Sequence, residues 1–358
     1  MRILADRHIP WVEEAFGGLG TLVLLDRFTP EDLIGADALL VRSTQQVDRN
    51  LFALAHPRFV GTATAGQDHV DLEFLNQTGI SYAYAPGCNA MAVAQWVIAS
   101  LLRFYGSYEK LRSLRLGIVG LGAVGGRLSS LALLLGLEVR ASDPPKERAS
   151  EPGPWMPLEE LLRWSDIVTL HTPLTTEGAD KTFHLIAAEQ LALLKPKCLL
   201  VNAARGGVVD EQALKPVANN LGGLILDTWE SEPELDRELL ALTSQASPHV
   251  AGYSLEAKLK GTSQIQEAFC RFFEMNVPAL NPKLNHFRAD VAVGVAPLMD
   301  LIGGMSRDDA ALRSGGDFKQ LRNLYPLRRE WSSVELSGHQ ALSEAHGDLL
   351  AKMGFLLV

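Results

Sequence analysis

One glycine-rich turn constrains the fold of this chain more than any other feature. Leu116-Gly117-Ile118-Val119 reads as a short buried strand, and Gly120-Leu121-Gly122-Ala123-Val124-Gly125 follows it directly and opens a stretch with helical periodicity. The next apolar run, Glu138-Val139-Arg140-Ala141, is closed by Asp143. Strand, tight turn, helix and a closing acid are the parts of a dinucleotide-binding βαβ unit. The first glycine permits the turn, the second lets main chain approach a pyrophosphate, and the third lets helix and sheet pack closely. The helix N-terminal amides, beginning at Ala123 and Val124, then face the phosphates. An acid at Asp143 accepts hydrogen bonds from ribose hydroxyls and repels a 2'-phosphate, so NAD is expected over NADP. A bare GxGxxG is compatible with a plain glycine turn; its strand, helix and acid favour the cofactor.

The same rhythm of short apolar runs extends in both directions. Before the turn come Ile3-Leu4-Ala5, Thr21 to Leu25, Ala38 to Val41, Phe59 to Thr62 and Ile80 to Ala83; after it come Ile167 to Leu170, Cys198 to Asn202 and Gly223 to Leu226. Runs that are apolar without alternation, separated by amphipathic stretches, indicate strands buried on both faces of a parallel sheet. The segment Asn89 to Tyr105 is apolar around much of its circumference and reads as a buried helix bridging two domains. Another helix is expected over about Leu255 to Glu274, a linker over Pro278 to Pro282, and a mixed α and β tail beyond residue 285. The expected fold is α/β: a flavodoxin-like doubly wound domain (1–93 with 254–284), a Rossmann domain (94–253) and a small C-terminal α+β domain (285–358).

Composition removes several classes of function. A net charge of -9 leaves no basic surface for nucleic acid. The N-terminus meets Asp6 too early for a signal peptide, and no uncharged run is long enough to span a bilayer. Cys88, Cys198 and Cys270 are widely spaced, which suits neither a disulfide framework nor a zinc site, so a reducing cytoplasm and no metal are expected.

Two further stretches lie where parallel sheets place their ligands, at the carboxyl ends of expected strands. Asn202-Ala203-Ala204-Arg205-Gly206-Gly207 offers Arg205, whose planar fork matches a carboxylate; the plainer alternative is a surface arginine near a helix cap. Asp227-Thr228-Trp229-Glu230-Ser231-Glu232-Pro233 and Ser247-Pro248-His249-Val250-Ala251-Gly252-Tyr253 could bring an acid beside His249. Oxidising an alcohol needs a base for the hydroxyl proton, and imidazole suits that work, although most histidines are surface or structural residues.

In this order, GLGAVG, NAARGGVVD, DTWESEP and SPHVAGY resemble the D-isomer-specific 2-hydroxyacid dehydrogenases over most of the first 275 residues. The resemblance implies that Arg205 binds the substrate carboxylate, that Glu232 partners the histidine and that His249 is the acid/base, with Glu230 only a solvated turn residue. It also implies cofactor contacts from Asp143, Thr172, the main chain of Ala203, Ala204 and Arg205, and from Asp227 and Gly252, with Asp227 at the nicotinamide end. Finer stretches, including Phe59 to Gly66, Ala85 to Asn89, Ser306 to Asp309 and Arg328 to Ser333, are similar to family members that oxidise a phosphorylated 2-hydroxy acid and dimerise through a C-terminal domain. By that matching Ser43, Thr64 and Tyr253 contact substrate, and a homodimer is implied. A phosphate needs further cations, for which Arg42, Arg328 and Arg329 are the candidates; the alternative is that the tail pair only forms salt bridges, such as one with Glu330. Arg7-His8, Gln67 and Gly303-Gly304-Met305 depart from the usual pattern without touching a catalytic position. Competing readings are a family member acting on glycerate, lactate or 3-phosphoglycerate, and an NAD(H)-sensing regulator on the same fold.

Overall fold

Two parallel sheets carry most of the chain, and all their strands except the two-residue edge strand Gln245–Ala246 are apolar runs of the sequence. The computed structural model describes residues 1–291, 294–341 and 343–358. Two compact units divide it: Met1–Asn89 with Leu255–Leu284, and Ala90–Ser254 with Asn285–Val358. The first unit holds β1 (Arg2–Asp6), β2 (Thr21–Leu25), β3 (Ala38–Val41), β4 (Phe59–Thr62) and β5 (Ser81–Ala83). They form a parallel sheet in the order β2-β1-β3-β4-β5, the flavodoxin-like arrangement. The helix Leu255–Phe272 returns to this unit and places Ile265 and Phe269 in one core with Phe16 and Phe59. Phe269 meets both rings edge-on at 5.4 and 5.6 Å, a favoured aromatic geometry.

The second unit contains β6 (Arg115–Val119), β7 (Glu138–Ser142), β8 (Ile167–Leu170), β9 (Leu199–Asn202), β10 (Gly223–Leu226) and the two-residue β11 (Gln245–Ala246). Their order is β11-β10-β9-β8-β6-β7, all parallel. An isolated parallel bridge, Ala141 to Trp155, stands beyond β7 where a Rossmann sheet has its outer strand. The order reverses between β6 and β8, so their carboxyl ends flank the switch point at which such sheets bind ligands.

Residues 285–358 share a core with Ala90–Ser254. Their strands β12 (Phe287–Asp290), β13 (Val334–Ser337) and β14 (Leu356–Leu357) form a small parallel sheet. Met299, Met305, Trp331, Val334 and Phe355 join Trp96, Val97 and Leu101 of the helix Ala90–Tyr105 in one apolar cluster. That helix, expected to bridge two domains, lies within the second unit, because its apolar circumference is covered from both sides by segments of that unit. Two of its buried polar side chains are paired: Gln95 Oε1 accepts from Trp331 N at 3.1 Å, and Ser100 Oγ accepts from Gln245 Nε2 at 2.7 Å. The Gly303-Gly304-Met305 departure is a break between the helices Val295–Gly303 and Met305–Arg313, with Gly304 in the left-handed region at φ 71°. Arg7 and His8 pair with Asp26 on the surface of the first unit. No helix among the described residues is long and apolar enough to cross a membrane.

Trp331 is almost fully buried and stacks on Phe355 at 5.0 Å. Trp331→Ala should lower the unfolding free energy by about 3–5 kcal/mol in urea titrations, since a large void replaces the ring. A loss under about 1 kcal/mol would show that the tail is not part of this core.

Candidate active site

The glycine turn is built as its sequence requires. Gly120 has φ 90°, and a Cβ there would lie 2.8 Å from the His171 carbonyl oxygen, so only glycine lets the turn pass β8. A Cβ on Gly125 would lie 2.1 Å from the Gly120 carbonyl oxygen, which fixes how closely the helix Ala123–Leu134 meets its strand. Gly122 caps that helix, and the space before its Cα is open. Asp143 at the end of β7 accepts from Leu121 N at 2.8 Å and from Lys146 N at 3.3 Å, tying the turn to the next helix. Across the switch point, Thr172 Oγ1 and His171 Nδ1 are buried and make no hydrogen bond. Burial pushes the His171 imidazole down to about 3, so it is neutral. A turn open to an approaching anion, an acid at the end of β7 and a buried, unpartnered hydroxyl on Thr172 beside the Gly120 turn fit a dinucleotide.

Arg205 follows β9 in a turn shaped by Asn202, whose Oδ1 accepts from Ala204 N at 3.1 Å and whose Nδ2 donates to the Arg205 carbonyl at 2.9 Å. Gly206 admits no side chain, because a Cβ would sit 1.9 Å from the Trp229 carbonyl carbon. The loops after β9 and β10 are thereby pressed together, which brings Arg205 beside the segment that carries Glu232.

His249 Nδ1 donates to Glu232 Oε2 at 2.8 Å, and Glu232 Oε1 is also held by Trp229 N at 2.9 Å. A carboxylate on Nδ1 places the proton there and leaves Nε2 to exchange protons with a ligand. Burial pushes the Glu232 carboxyl up, but the His249 charge and hydrogen bond outweigh it, with help from Trp229 N and Arg322, and hold it below the usual carboxylate range. His249 itself adopts φ 57°, a conformation that a non-glycine residue holds only when its surroundings impose it. Asp227 supplies that constraint. Its carbonyl accepts from His249 N at 2.7 Å, and its carboxylate accepts from Ser247 Oγ at 2.6 Å, Val250 N at 2.7 Å and Ala251 N at 3.0 Å. Asp227 was expected at the nicotinamide end; the structure spends both its oxygens on the loop around His249 and Gly252.

The remaining expectations divide between the units. Ser43, after β3, and Thr64, after β4, stand at carboxyl strand ends of the first unit, and Thr64 Oγ1 donates to the Gly66 carbonyl at 2.9 Å. Arg42 is held there by Asp6, its Nε 2.9 Å from Oδ2. In the second unit Tyr253 OH accepts from Arg322 Nη2 at 3.3 Å. Arg328, a candidate phosphate ligand by sequence, is instead buried and donates through Nη2 to the Val250 and Ala251 carbonyls, because the tail folds against that loop. Glu230 is not merely a solvated turn residue: its carboxylate accepts from His184 Nε2 at 2.8 Å, and its amide donates to Glu211 Oε1 at 2.8 Å. Burial pushes Glu211 up to about 7, against the lowering effect of the Glu230 amide and with smaller contributions from the charges of Glu230, Asp236 and Glu232. Sequence reasoning missed Arg322, Glu211 and His184, which no motif marks.

Comparisons with known proteins give the family. Residues 89–251 match the D-isomer specific 2-hydroxyacid dehydrogenase, NAD binding domain. The chain is 41% identical over 377 residues to the erythronate-4-phosphate dehydrogenase of Edwardsiella ictaluri, covering 99% of each chain. It is 40% identical over 378 residues to that of Escherichia coli O157:H7, covering 99% of this chain and 98% of the relative. Among solved structures, the D-lactate dehydrogenase of Aquifex aeolicus with NAD and lactic acid shares the fold at TM-score 0.64 and 23% identity, covering 76% of this chain and 96% of its own. The NAD-bound 3-phosphoglycerate dehydrogenase of Entamoeba histolytica does so at TM-score 0.64 and 24% identity, covering 79% and 99%. The chain belongs to the D-isomer-specific 2-hydroxyacid dehydrogenases and, within them, to the erythronate-4-phosphate dehydrogenase family.

The role expected of His249 is testable: His249→Ala should lower kcat by about a hundredfold or more while NAD affinity, measured by fluorescence titration, stays near normal. Turnover close to wild type would remove His249 from the chemistry. The Glu232 shift has a defined sign, since a carboxyl lowered on folding adds stability above its unfolded value and loses it as pH falls through the folded one. The stability difference between wild type and Glu232→Gln should therefore hold from neutral pH down to about pH 4.3 and close below it. A difference that instead grows on acidification would mean that the pair does not stabilise the ionised carboxylate.

Proposed function

We propose that the chain oxidises the C2 hydroxyl of 4-phospho-D-erythronate to 2-oxo-3-hydroxy-4-phosphobutanoate, a step towards pyridoxal phosphate. NAD, when bound, accepts the hydride from C2. Gly120, Gly122, the amides of Ala123 and Val124, and Gly125 hold its pyrophosphate. Asp143 takes the ribose hydroxyls, and Thr172 and the Ala203-Ala204-Arg205 main chain line its remaining length. Arg205 holds the substrate carboxylate through its fork, which orients C2 for transfer. His249 Nε2 takes the hydroxyl proton, and Glu232, bonded to Nδ1 at 2.8 Å, stabilises the imidazolium so formed. Ser43, Thr64 and Tyr253 contact the substrate's hydroxyl-bearing carbons, and Arg42, fixed by Asp6, is the candidate for its phosphate. The enzyme works as a cytoplasmic homodimer.

The observation that carries this reading is the His249–Glu232 pair on the loop beside the one that bears Arg205. Full-length similarity to erythronate-4-phosphate dehydrogenases supports the choice of substrate. NADH formation followed at 340 nm should give the highest kcat/KM with 4-phosphoerythronate among that compound, D-glycerate, D-lactate and D-3-phosphoglycerate. A higher kcat/KM for any of the other three would overturn the assignment.

A further inference from the structure

The tail of this chain touches the catalytic loop at its carbonyl face. In the segment from Ser247 to Ser254 the amides of Val250 and Ala251 sit on the Asp227 carboxylate, and the carbonyls of the same two residues sit on Arg328. Arg328 Nη2 donates to the Val250 carbonyl at 3.1 Å and to that of Ala251, and Arg328 N donates to the Tyr253 carbonyl at 3.3 Å. Ser254 and Arg328 form a parallel bridge, and Ser254 Oγ donates to Glu330 Oε1 at 2.9 Å. A second arm comes from the helix Phe318–Asn323: Arg322 Nη2 donates to Tyr253 OH, and its guanidinium lies 5.9 Å from the centre of the Tyr253 ring. Tyr325 meets the other side of that ring edge-on at 5.8 Å, and its own hydroxyl donates to Asp308 Oδ2 at 2.9 Å.

A buried guanidinium is costly unless its donors are met and its charge is balanced. Here the carbonyls of Val250 and Ala251 meet Nη2 while the buried Nε makes no hydrogen bond, and the buried carboxylate of Asp308, itself paired with Arg307, supplies opposite charge nearby. The main chain of Val250 and Ala251 thus lies between an anion on its amide side and a cation on its carbonyl side. That arrangement opposes relaxation of the left-handed turn at His249.

We propose that Arg328, seconded by Arg322, is a positioning residue for the reaction: the C-terminal segment holds the His249 loop in its working conformation, in addition to any part it takes in dimer formation. The proposal rests on the functional reading above. Arg328 acts through the main chain of Val250 and Ala251, whereas Arg322 acts through Tyr253 and lies close enough to Glu232 to favour its ionised form.

The test combines turnover with hydrogen exchange of the full-length protein, read by mass spectrometry. In Arg328→Met the amides of residues 247–254 should exchange about tenfold faster while the rest of the second unit is unchanged. The same variant should lose about tenfold or more in kcat, with KM for NAD within about twofold, since a displaced base slows chemistry more than cofactor binding. Arg328→Lys, which keeps charge but not the fork, should recover only part of either effect. Arg288→Met, which removes an exposed arginine from β12, should leave both readouts unchanged. Unchanged exchange in 247–254, or full recovery by lysine, would overturn the proposal. If Arg328→Met does not fold, Arg322→Met provides the same comparison, and normal kcat with normal exchange in it would equally count against the brace. A wild-type protein inactive on 4-phosphoerythronate would defeat the functional reading alone, because the exchange comparison judges the brace without substrate.

Discussion

A single buried carboxylate organises the reactive end of this molecule. Asp227 is 1% exposed, and such a group is tolerable inside a protein only when several donors surround it. The donors are the hydroxyl of Ser247 and the amides of Val250 and Ala251, while the Asp227 carbonyl receives the amide of His249. Satisfying the acid and shaping the loop are therefore the same event. The loop that results places an imidazole against Glu232, and that carboxylate decides which ring nitrogen is left to take a proton.

The sheet explains why these parts meet. All six strands of the larger sheet in the second unit run in one direction, so Gly120, Thr172, Arg205, Asp227 and His249 all follow carboxyl strand ends along one edge. Close backbone approaches then set the spacing. The Gly120 turn passes the His171 carbonyl, and Gly206 presses the loop after β9 against the loop after β10. The cofactor end is built mainly from main chain and small residues, which suits an extended anion. The reactive end is built from charged side chains held by other charged groups.

Much of this was legible in the sequence, for identifiable reasons. Strands buried on both faces in a parallel sheet must be continuous apolar runs, so β1, β3, β4 and β6 to β10 stand out. The edge strand β11 did not, because two residues, one of them Gln245, carry no pattern. The glycine turn and the pair Glu232 and His249 were visible because each sits in a short motif whose chemistry depends on residue type. What the sequence hid depends on contacts distant along the chain. The place of Asp227 at a strand end is visible in the sequence, whereas the donors that its carboxylate gathers from Ser247, Val250 and Ala251 are not. Arg328 was read as a candidate phosphate ligand, with a surface salt bridge as the alternative; only the folded tail shows its guanidinium turned onto the carbonyls of Val250 and Ala251.

The central claim is that the protein fixes His249 with its proton on Nδ1 and keeps Nε2 for the reaction. Nitrogen-15 NMR of the imidazoles, recorded at alkaline pH with His249→Gln for assignment, reads the tautomer directly. The His249 signals should show a protonated Nδ1 and an unprotonated Nε2. A neutral ring protonated on Nε2 would place the free lone pair against Glu232 and contradict the account.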